Sequence, residues 1–410
     1  MNLGEREMKA LATRNNGAIL LLMFNIFIGF VGVGLVIPIM PTYMNVLGIS
    51  GTMVGFLVAV FSLTQFLVAP YAGSWSDRYG RKWIIVAGLF IFALSELLFG
   101  LATNALLLFI ARMLGGVSVA FIMPAVMAYV VDITTEEDRG MGMGWINAAI
   151  STGFIIGPAI GGFLAEYGLR VPFFAAAGAA ALSGLVSMLI LPESLDKSTR
   201  LAAQNREEQK ESQLVQLMGS YRTPYFTGLL IILIISLGLS QFETVLGLFV
   251  DHKYGYTPGQ IAWLIAVGAI VGAVMQLTLF GRLIHWIGEK RLTVYCLLLM
   301  AIFMVTTIFS AQYWMMLVSV TIVFLAVDFV RPAISTYFSR IAGNEQGLVA
   351  GLNASYTSLG NIGGPILAGA LFDIEINSPF LLGSLIALVG WMFSLRWIHK
   401  PVERPADTAR

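Results

Sequence analysis

The chain has 410 residues, of which 24 are Lys or Arg and 23 are Asp or Glu. Charged residues make up 11% of it and apolar residues 58%, whereas an ordinary soluble domain is about 25% charged. A soluble monomer cannot cover that much apolar side chain with a surface that water tolerates. The composition therefore argues against a soluble enzyme or a disordered chain, and lipid is the solvent that fits it.

The charge balance and the cysteine count exclude further classes. A net charge of +1 gives no field that would attract a polyanion, so no nucleic-acid partner is expected. The single cysteine, Cys296, excludes an intrachain disulfide framework and a cysteine-built metal site. His252, His285 and His399 are scattered along the chain, so neither a metal nor another cofactor is expected.

Long apolar runs separated by short polar segments predict twelve membrane-spanning helices, since a bilayer core needs about 20 apolar residues per helix. The N-terminal segment has no small-residue cleavage site, and no signal peptide is predicted. The one long polar stretch, residues 193–225, is expected to be a solvated linker between two six-helix halves, residues 1–192 and 226–410. The predicted spans are 17–41, 51–73, 83–103, 105–132, 140–163, 170–192, 226–250, 258–281, 290–309, 313–339, 347–372 and 378–399.

The placement of the basic residues predicts the orientation. With the N-terminus in the cytoplasm, Arg170 and Lys253 fall outside, Arg112 and Arg331 lie within spans, and the rest of the 24 Lys and Arg fall inside. This distribution follows the positive-inside rule. Both termini and the linker are therefore expected to be cytoplasmic.

The two halves resemble each other at a spacing of 208 residues, which becomes 207 after one deletion. An ordered series of matches is typical of an internal repeat. Two six-helix halves of the same topology predict a pseudo-two-fold axis along the membrane normal, with a cavity between the halves that opens to each side in turn. The matched pairs are Gly73 and Gly281, Gly80 and Gly288, Lys82 and Lys290, Pro124 and Pro332, Ala125 and Ala333, Tyr129 and Tyr337, Gly140 and Gly347, Gly157 and Gly364, Pro158 and Pro365, and Gly162 and Gly369.

The loop after the second span has the pattern GxxxDRxGRK, which resembles the signature loop of the major facilitator superfamily. Its glycines permit a tight turn and close helix approach, and Asp77 can meet a helix N-terminus. The resemblance implies that the loop latches the cytoplasmic side, with the start of the eleventh span near Gly347 as the expected target. In the second half His285 replaces Asp77, so a latch there should be weaker. The residues of the pattern are Gly73, Asp77, Arg78, Gly80, Arg81 and Lys82.

The fifth span contains Gly157, Pro158, Gly161 and Gly162, in the pattern GPxxGG. Pro158 cannot donate to the helix ladder, and the glycines allow another helix to approach closely. The pattern also resembles the antiporter motif of facilitator-superfamily drug exporters. The antiporter meaning comes from that resemblance, and the residues themselves predict a kinked packing seam.

Five ionisable residues inside spans are candidates for function, because a charge in the bilayer is costly. Arg112 in the fourth span can pair with Glu96 in the third. Asp328 and Arg331 share one face of the tenth span and can pair within the helix. Glu243, in the seventh span, has no such neighbour in sequence, so we expect it to be protonated more easily than Asp328.

Aromatic and amide side chains near these acids are candidates for substrate binding. Phe242 adjoins Glu243, and Phe324 stands one helical turn before Asp328. Aromatic rings beside an acid suit an organic cation. The candidates are Gln65, Phe154, Phe242, Phe324, Phe329, Asn353 and Asn361.

These stretches together resemble the NorA/Bmr type of multidrug exporter in the major facilitator superfamily, the Bmr branch in particular. The resemblance implies an all-α fold of twelve spans in a bacterial plasma membrane, expected to be a monomer. It implies proton-coupled export of hydrophobic, often cationic drugs such as fluoroquinolones, dyes and quaternary ammonium compounds. Residues matching Glu243, Asp328 and Arg331 serve proton coupling in that family, with the proton gradient in place of a cofactor.

Two other functions are open at this stage. A proton-coupled symporter of a small nutrient would share the fold and the GxxxDRxGRK loop, but GPxxGG and the scarcity of polar residues in the spans count against it. A membrane enzyme would need a nucleophile with its base, or metal ligands, within the spans. No histidine lies clearly within a span, so an enzyme is not expected.

Overall fold

The structure is a computed structural model that describes residues 17–196, 198, 200–201, 217–342 and 345–398. The N-terminal residues up to 16, most of the predicted linker and residues 399–410 lie outside the described residues. The predicted cytoplasmic placement of both termini therefore lies outside them too.

The described residues contain twelve long helices, and the predicted all-α fold is confirmed. Proline occurs inside several of them, as neighbouring helices in membrane proteins permit. The helices are α1 (Ala18–Leu47), α2 (Gly51–Tyr79), α3 (Arg81–Leu101), α4 (Ala105–Ile133), α5 (Glu136–Ala165), α6 (Val171–Ile190), α7 (Phe226–Tyr254), α8 (Pro258–Met275), α9 (Gly281–Phe309), α10 (Tyr313–Ile341), α11 (Gln346–Ile374) and α12 (Ser378–Ile398).

Ten segments of the described chain are long and apolar enough to cross a membrane. One of them, Pro258–Phe309, contains both α8 and α9, which a π-helical turn at Gln276–Phe280 joins. The backbone turns sharply within α9 at Gly288, where φ is +78°. The more polar helix α11 is not among the ten segments, because its sequence carries several Asn, Ser and Thr residues.

The starts of α2 and α8 are capped in different ways. Thr257 and Gln260 form a capping box at the start of α8, so that helix satisfies its own first amides. At the start of α2, the amides of Gly51 and Thr52 donate to the carboxylate of Asp373 on α11, at 2.7 and 2.8 Å. The first turn of α2 therefore depends on a distant part of the chain.

The chain divides into two compact units. The first contains the described residues of Met1–Tyr43 and Val60–Glu208, and the second those of Met44–Ala59 and Gln209–Arg410. Leu22, Ile85, Val126, Tyr129 and Ile146, from α1, α3, α4 and α5, are fully buried in one apolar cluster of the first unit. Burial of these side chains against one another joins the four helices.

The second unit is built by three sets of helix contacts. α7 packs on α11 and α12, α9 packs on α10 and α12, and α8 packs on α10. Gly360 and Gly364 of α11 lie against the backbone of α7, where a Cβ on Gly364 would come within 2.5 Å of the Leu237 carbonyl oxygen. Glycine is needed at such a close approach, because any side chain would push the two helices apart.

Candidate substrate and proton site

The acids predicted for proton coupling lie together in the second unit. Glu243 on α7 interacts electrostatically with two residues of α10: Arg331 attracts its carboxylate, and Asp328 repels it. Arg331 also attracts Asp328, one helical turn away. Two acids and one arginine thus share one electrostatic neighbourhood, so adding a proton to either acid changes the field at the other.

Several aromatic rings lie near these acids in the second unit. Phe242, next to Glu243, meets Phe324 edge to face with 6.0 Å between ring centroids. It also meets Phe380 of α12 at 5.6 Å. Phe329 packs on Phe280 at 6.0 Å. Phe242 and Phe329 are buried and Phe324 is partly exposed, so Phe324 offers the most accessible ring of the three in this conformation.

The predicted pair Glu96 and Arg112 lies in the first unit, on α3 and α4. Glu96 is buried, and the opposite charges of the two side chains act on each other. The Arg112 guanidinium lies over the rings of Phe61 and Phe99, at 5.6 and 5.4 Å. Among the described residues, Oε2 of Glu96 and Nε of Arg112 have no hydrogen-bond partner, so long-range attraction and ring contacts hold the pair.

The other predicted substrate residues are distributed over both units. In the first unit, Gln65 on α2 is half-buried, and the ring of Phe154 on α5 lies 4.9 Å from that of Phe30. In the second unit, Asn353 and Asn361 on α11 are half-buried. Within the described part of the chain, Oδ1 of Asn353 is buried without a hydrogen-bond partner. The substrate role of all four stays a prediction.

The signature loop is organised around Arg81, whose side chain is buried. Its guanidinium donates to Asp77, to Ser76 at 3.1 Å and to Asp132 of α4 at 3.2 Å. Its backbone amide donates to Glu193 at 2.9 Å. The loop is therefore tied to the rest of the first unit, and the predicted contact of Asp77 with a helix near Gly347 stays a prediction.

The glycines of this loop differ in what they do. Gly80 has a φ of +106°, a backbone conformation that favours glycine, and a Cβ there would collide with Glu193. Gly73 lies inside α2, with no described atom within 4 Å of where its Cβ would be. Arg78 and Lys82 are half-buried. The predicted tight turn is thus at Gly80, and the described residues show no close helix approach at Gly73.

Sequence reasoning missed Asp132 and Glu193, although the repeat contained a signal for Asp132. Arg81 and Asp132 correspond, at the spacing of 208 residues, to Glu289 and Arg340. Arg340 does bind Glu289, at 3.1 Å. A search for identical residues overlooks this pair because both charges are reversed.

The GPxxGG segment of α5 packs on α1, as a close-packing seam should. A Cβ on Gly157 would come within 2.7 Å of the Val31 carbonyl oxygen, and one on Gly161 within 2.6 Å of that of Leu35. Pro158 and Gly162 are buried as well. The four-residue spacing on both helices puts these contacts along one face of each, so backbone meets backbone along the seam.

Comparison with known proteins agrees with this architecture. The family model described as Major Facilitator Superfamily matches residues 22–277 and 228–410. The crystal structure of the nucleoside transporter NupG superimposes with a TM-score of 0.74 at 13% identity, over 94% of this chain and 100% of that one. At this identity the likeness concerns the fold alone.

Relatives of higher identity cover nearly the whole chain. It is 48% identical to Multidrug resistance protein 1 of Bacillus subtilis (strain 168), over 96% of this chain and 100% of that protein. It is 47% identical to Multidrug resistance protein 2 of the same organism, over 94% and 96%. It is 37% identical to Quinolone resistance protein NorA of Staphylococcus aureus (strain MSSA476), over 92% and 95%.

The fold and the matches define a multi-pass membrane transporter. The chain belongs to the Major Facilitator Superfamily, and its predicted resemblance to the NorA/Bmr type is confirmed.

Proposed function

We propose that this protein exports hydrophobic, often cationic drugs from the bacterial cell in exchange for protons, as a monomer in the plasma membrane and without a cofactor. The observation that carries the proposal is the group formed by Glu243, Asp328 and Arg331 with the rings of Phe242 and Phe324. An organic cation is attracted by a carboxylate and by aromatic faces, and this group offers both. The names of the relatives, which are multidrug and quinolone resistance proteins, support the same substrate class.

The chemistry of the group suggests how drug and proton exclude each other. A cationic drug binds while at least one acid is charged, and a proton arriving from outside neutralises that acid and removes its attraction for the drug. Arg331 attracts both carboxylates, so it competes with a drug cation for their negative charge. Loss of the proton to the cytoplasm restores the binding form.

The driving force for this exchange depends on how many protons move for each drug molecule. One charge that crosses 100 mV releases about 2.3 kcal/mol, which corresponds to a roughly fiftyfold concentration gradient. Exchange of one proton for a monovalent cation moves no net charge, so only the pH difference drives it. A second acid would permit a second proton and a step driven by voltage.

The test is Glu243→Gln in proteoliposomes with a fluorescent cationic dye and an imposed pH gradient. We expect the variant to lose dye movement driven by the gradient, because the amide binds no proton at these pH values. The matched control is Glu137→Gln, which changes an exposed acid in the first turn of α5 and should transport normally. Normal coupled transport by Glu243→Gln would contradict the role of Glu243.

The direction of proton movement separates export from nutrient symport. Under antiport, dye added to one side of the membrane should drive protons towards that side and acidify it. Alkalinisation of that side would mean that substrate and proton move together, which would contradict drug export by exchange.

A further inference from the structure

Two glycines of α8, Gly268 and Gly272, lie directly against the side chains of Phe324 and Asp328 on α10. A Cβ on Gly268 would lie 2.9 Å from Cδ2 of Phe324, and a Cβ on Gly272 would collide with Oδ2 of Asp328. The glycines are four residues apart, as are Phe324 and Asp328, so each pair lies along one face of its helix. The Asp328 carboxylate thus lies directly against the backbone of α8.

The space for this carboxylate exists only because residue 272 lacks a side chain. The side chain of Asp328 is short, and even a methyl group at 272 would displace its carboxylate oxygen. The displacement at Gly268 would instead fall on the ring of Phe324, which is not ionisable. The two neighbouring glycines therefore affect two different properties, the position of an acid and the position of a ring.

The structure at the end of α8 also indicates that this helix packs specifically on α10 near Asp328. The helix changes into a π-helical turn at Gln276–Phe280, one helical turn after Gly272. Such turns are rare, and in proteins they are often found at functional sites. Phe280, in the turn, packs on Phe329, which follows Asp328. Together, α8 and the π-helical turn that follows it contact α10 on both sides of the acid.

We propose that Gly272 is a positioning residue for proton exchange: by letting the Asp328 carboxylate lie on the α8 backbone, it sets the pH at which this acid takes up and releases its proton. The inference rests on the proposed function, in which Asp328 is one of the two coupling acids. It adds a residue that is neither ionisable nor a drug contact.

The charged groups that act on Asp328 lie on two helices, α10 and α7. Arg331, on its own helix, attracts it, and Glu243 on α7 repels it. The helix α8 carries no ionisable side chain along its described length. On α9, Glu289 is engaged by Arg340, three turns along α10 from Asp328. On α11, Tyr356 is hydrogen-bonded to Ser220. A displaced carboxylate changes its distance to Arg331 and Glu243, and its proton affinity changes with them.

The experiment measures binding of tetraphenylphosphonium to the purified full-length protein as a function of pH. We expect Gly272→Ala to move the midpoint of the binding curve by about half a pH unit or more. Gly268→Ala should leave the midpoint in place and weaken binding through Phe324. Gly178→Ala is the matched control in α6, because no described atom lies within 4 Å of its Cβ position, and it should change neither.

The design separates the inference from the proposed function and from misfolding. Absence of pH-dependent binding in the unaltered protein would contradict the proposed function. If binding is pH-dependent but Gly272→Ala keeps the midpoint, or if Gly268→Ala moves it equally, the inference is wrong. If Gly272→Ala does not fold, Asp328→Glu moves the carboxylate without altering α8. Its extra methylene should move the midpoint too, and an unchanged midpoint would overturn the inference.

Discussion

The two loops related by the repeat, residues 73–82 and 281–290, keep the same geometry with opposite charges. In the first, Arg81 binds Asp132 at 3.2 Å, and at the corresponding positions of the second, Glu289 binds Arg340 at 3.1 Å. Both loops also contain a glycine with positive φ, Gly80 and Gly288. The backbone turn and the ion pair are thus common to both loops, whereas the sign of each charge is free to change when both partners change together.

The loops differ in how many partners hold the buried charge. Arg81 also binds Ser76 and Asp77. The Glu289 carboxylate is bound by Arg340, whose side chain is 61% exposed. The sequence already predicted a weaker second loop, since His285 replaces Asp77 there. The comparison indicates that three side chains hold the buried Arg81 in the first loop, whereas among the described residues a solvent-exposed arginine holds the buried Glu289 in the second.

Reversal of the first pair should give the largest effect. Arg81→Glu or Asp132→Arg alone places like charges together and should lower the free energy of unfolding by about 3–5 kcal/mol. The double variant restores an ion pair with the polarity of the second loop, although Asp77 stays acidic where the second loop has His285, and we expect it to recover about 2 kcal/mol relative to the sum of the single losses. Denaturant unfolding in detergent measures all three. Strictly additive losses would contradict the idea that the sign is interchangeable.

Removal of the exposed partner in the second loop should have a smaller effect. Arg340→Ala leaves the buried carboxylate of Glu289 without its ion pair, and we expect a loss of about 1–2 kcal/mol in unfolding free energy. Arg396→Ala removes a cation from the end of α12 and serves as control. A loss of unfolding free energy as large as that of the Arg81 or Asp132 variants would show that Arg340 holds Glu289 as firmly as three side chains hold Arg81.

The smallest effect should come from the cap of α2, and it should depend on pH. Partial burial raises the pKa of Asp373, whereas hydrogen bonds from Thr52, Gly51 and Ser50 lower it. The hydrogen bonds together have the larger effect, so the pKa lies below its ordinary value of 3.8. A lowered pKa means that the stabilisation is complete above the ordinary value and is lost as the pH falls through the folded value.

Asp373→Asn should therefore destabilise the protein by about 1 kcal/mol near pH 7, and the difference from the unaltered protein should shrink below about pH 4. Thermal unfolding of both proteins across this range measures it. The capping box at Thr257 contains no carboxylate, so Thr257→Ala should give a loss that does not vary with pH in this range. A pH-independent loss for Asp373→Asn would contradict the assignment of the cap to its charged form.

Much of the fold followed from the sequence because the bilayer imposes simple rules. Apolar length indicated twelve helices, and the repeated glycines indicated the seams where helices approach closely, as Gly157 and Gly364 do. Glu243 and Asp328 were recognisable because acids in spans are rare. These features depend on composition along one helix and need no knowledge of its neighbours.

The remaining features depend on pairs of distant residues, which a single sequence does not reveal. Only the charge-reversed repeat connects Asp132 with Arg81, and nothing around Gly272 shows that Asp328 lies on it. Asp373 is an ordinary acid at a helix end until Gly51 is found beside it. Such partners are fixed by helix rotation and tilt, which depend on the packing of all side chains at once.

The segment Met44–Ala59 has a consequence for how the polypeptide can be divided. It precedes the linker by well over a hundred residues, yet it groups with the second unit, and its Gly51 lies against the Gly369 backbone. A gene cut within the linker would produce a C-terminal fragment whose α11 lacks this neighbour. In such a fragment, Gly369 would lose its helix contact and Asp373 its hydrogen-bond donors. The two fragments should therefore fold only when they are synthesised together.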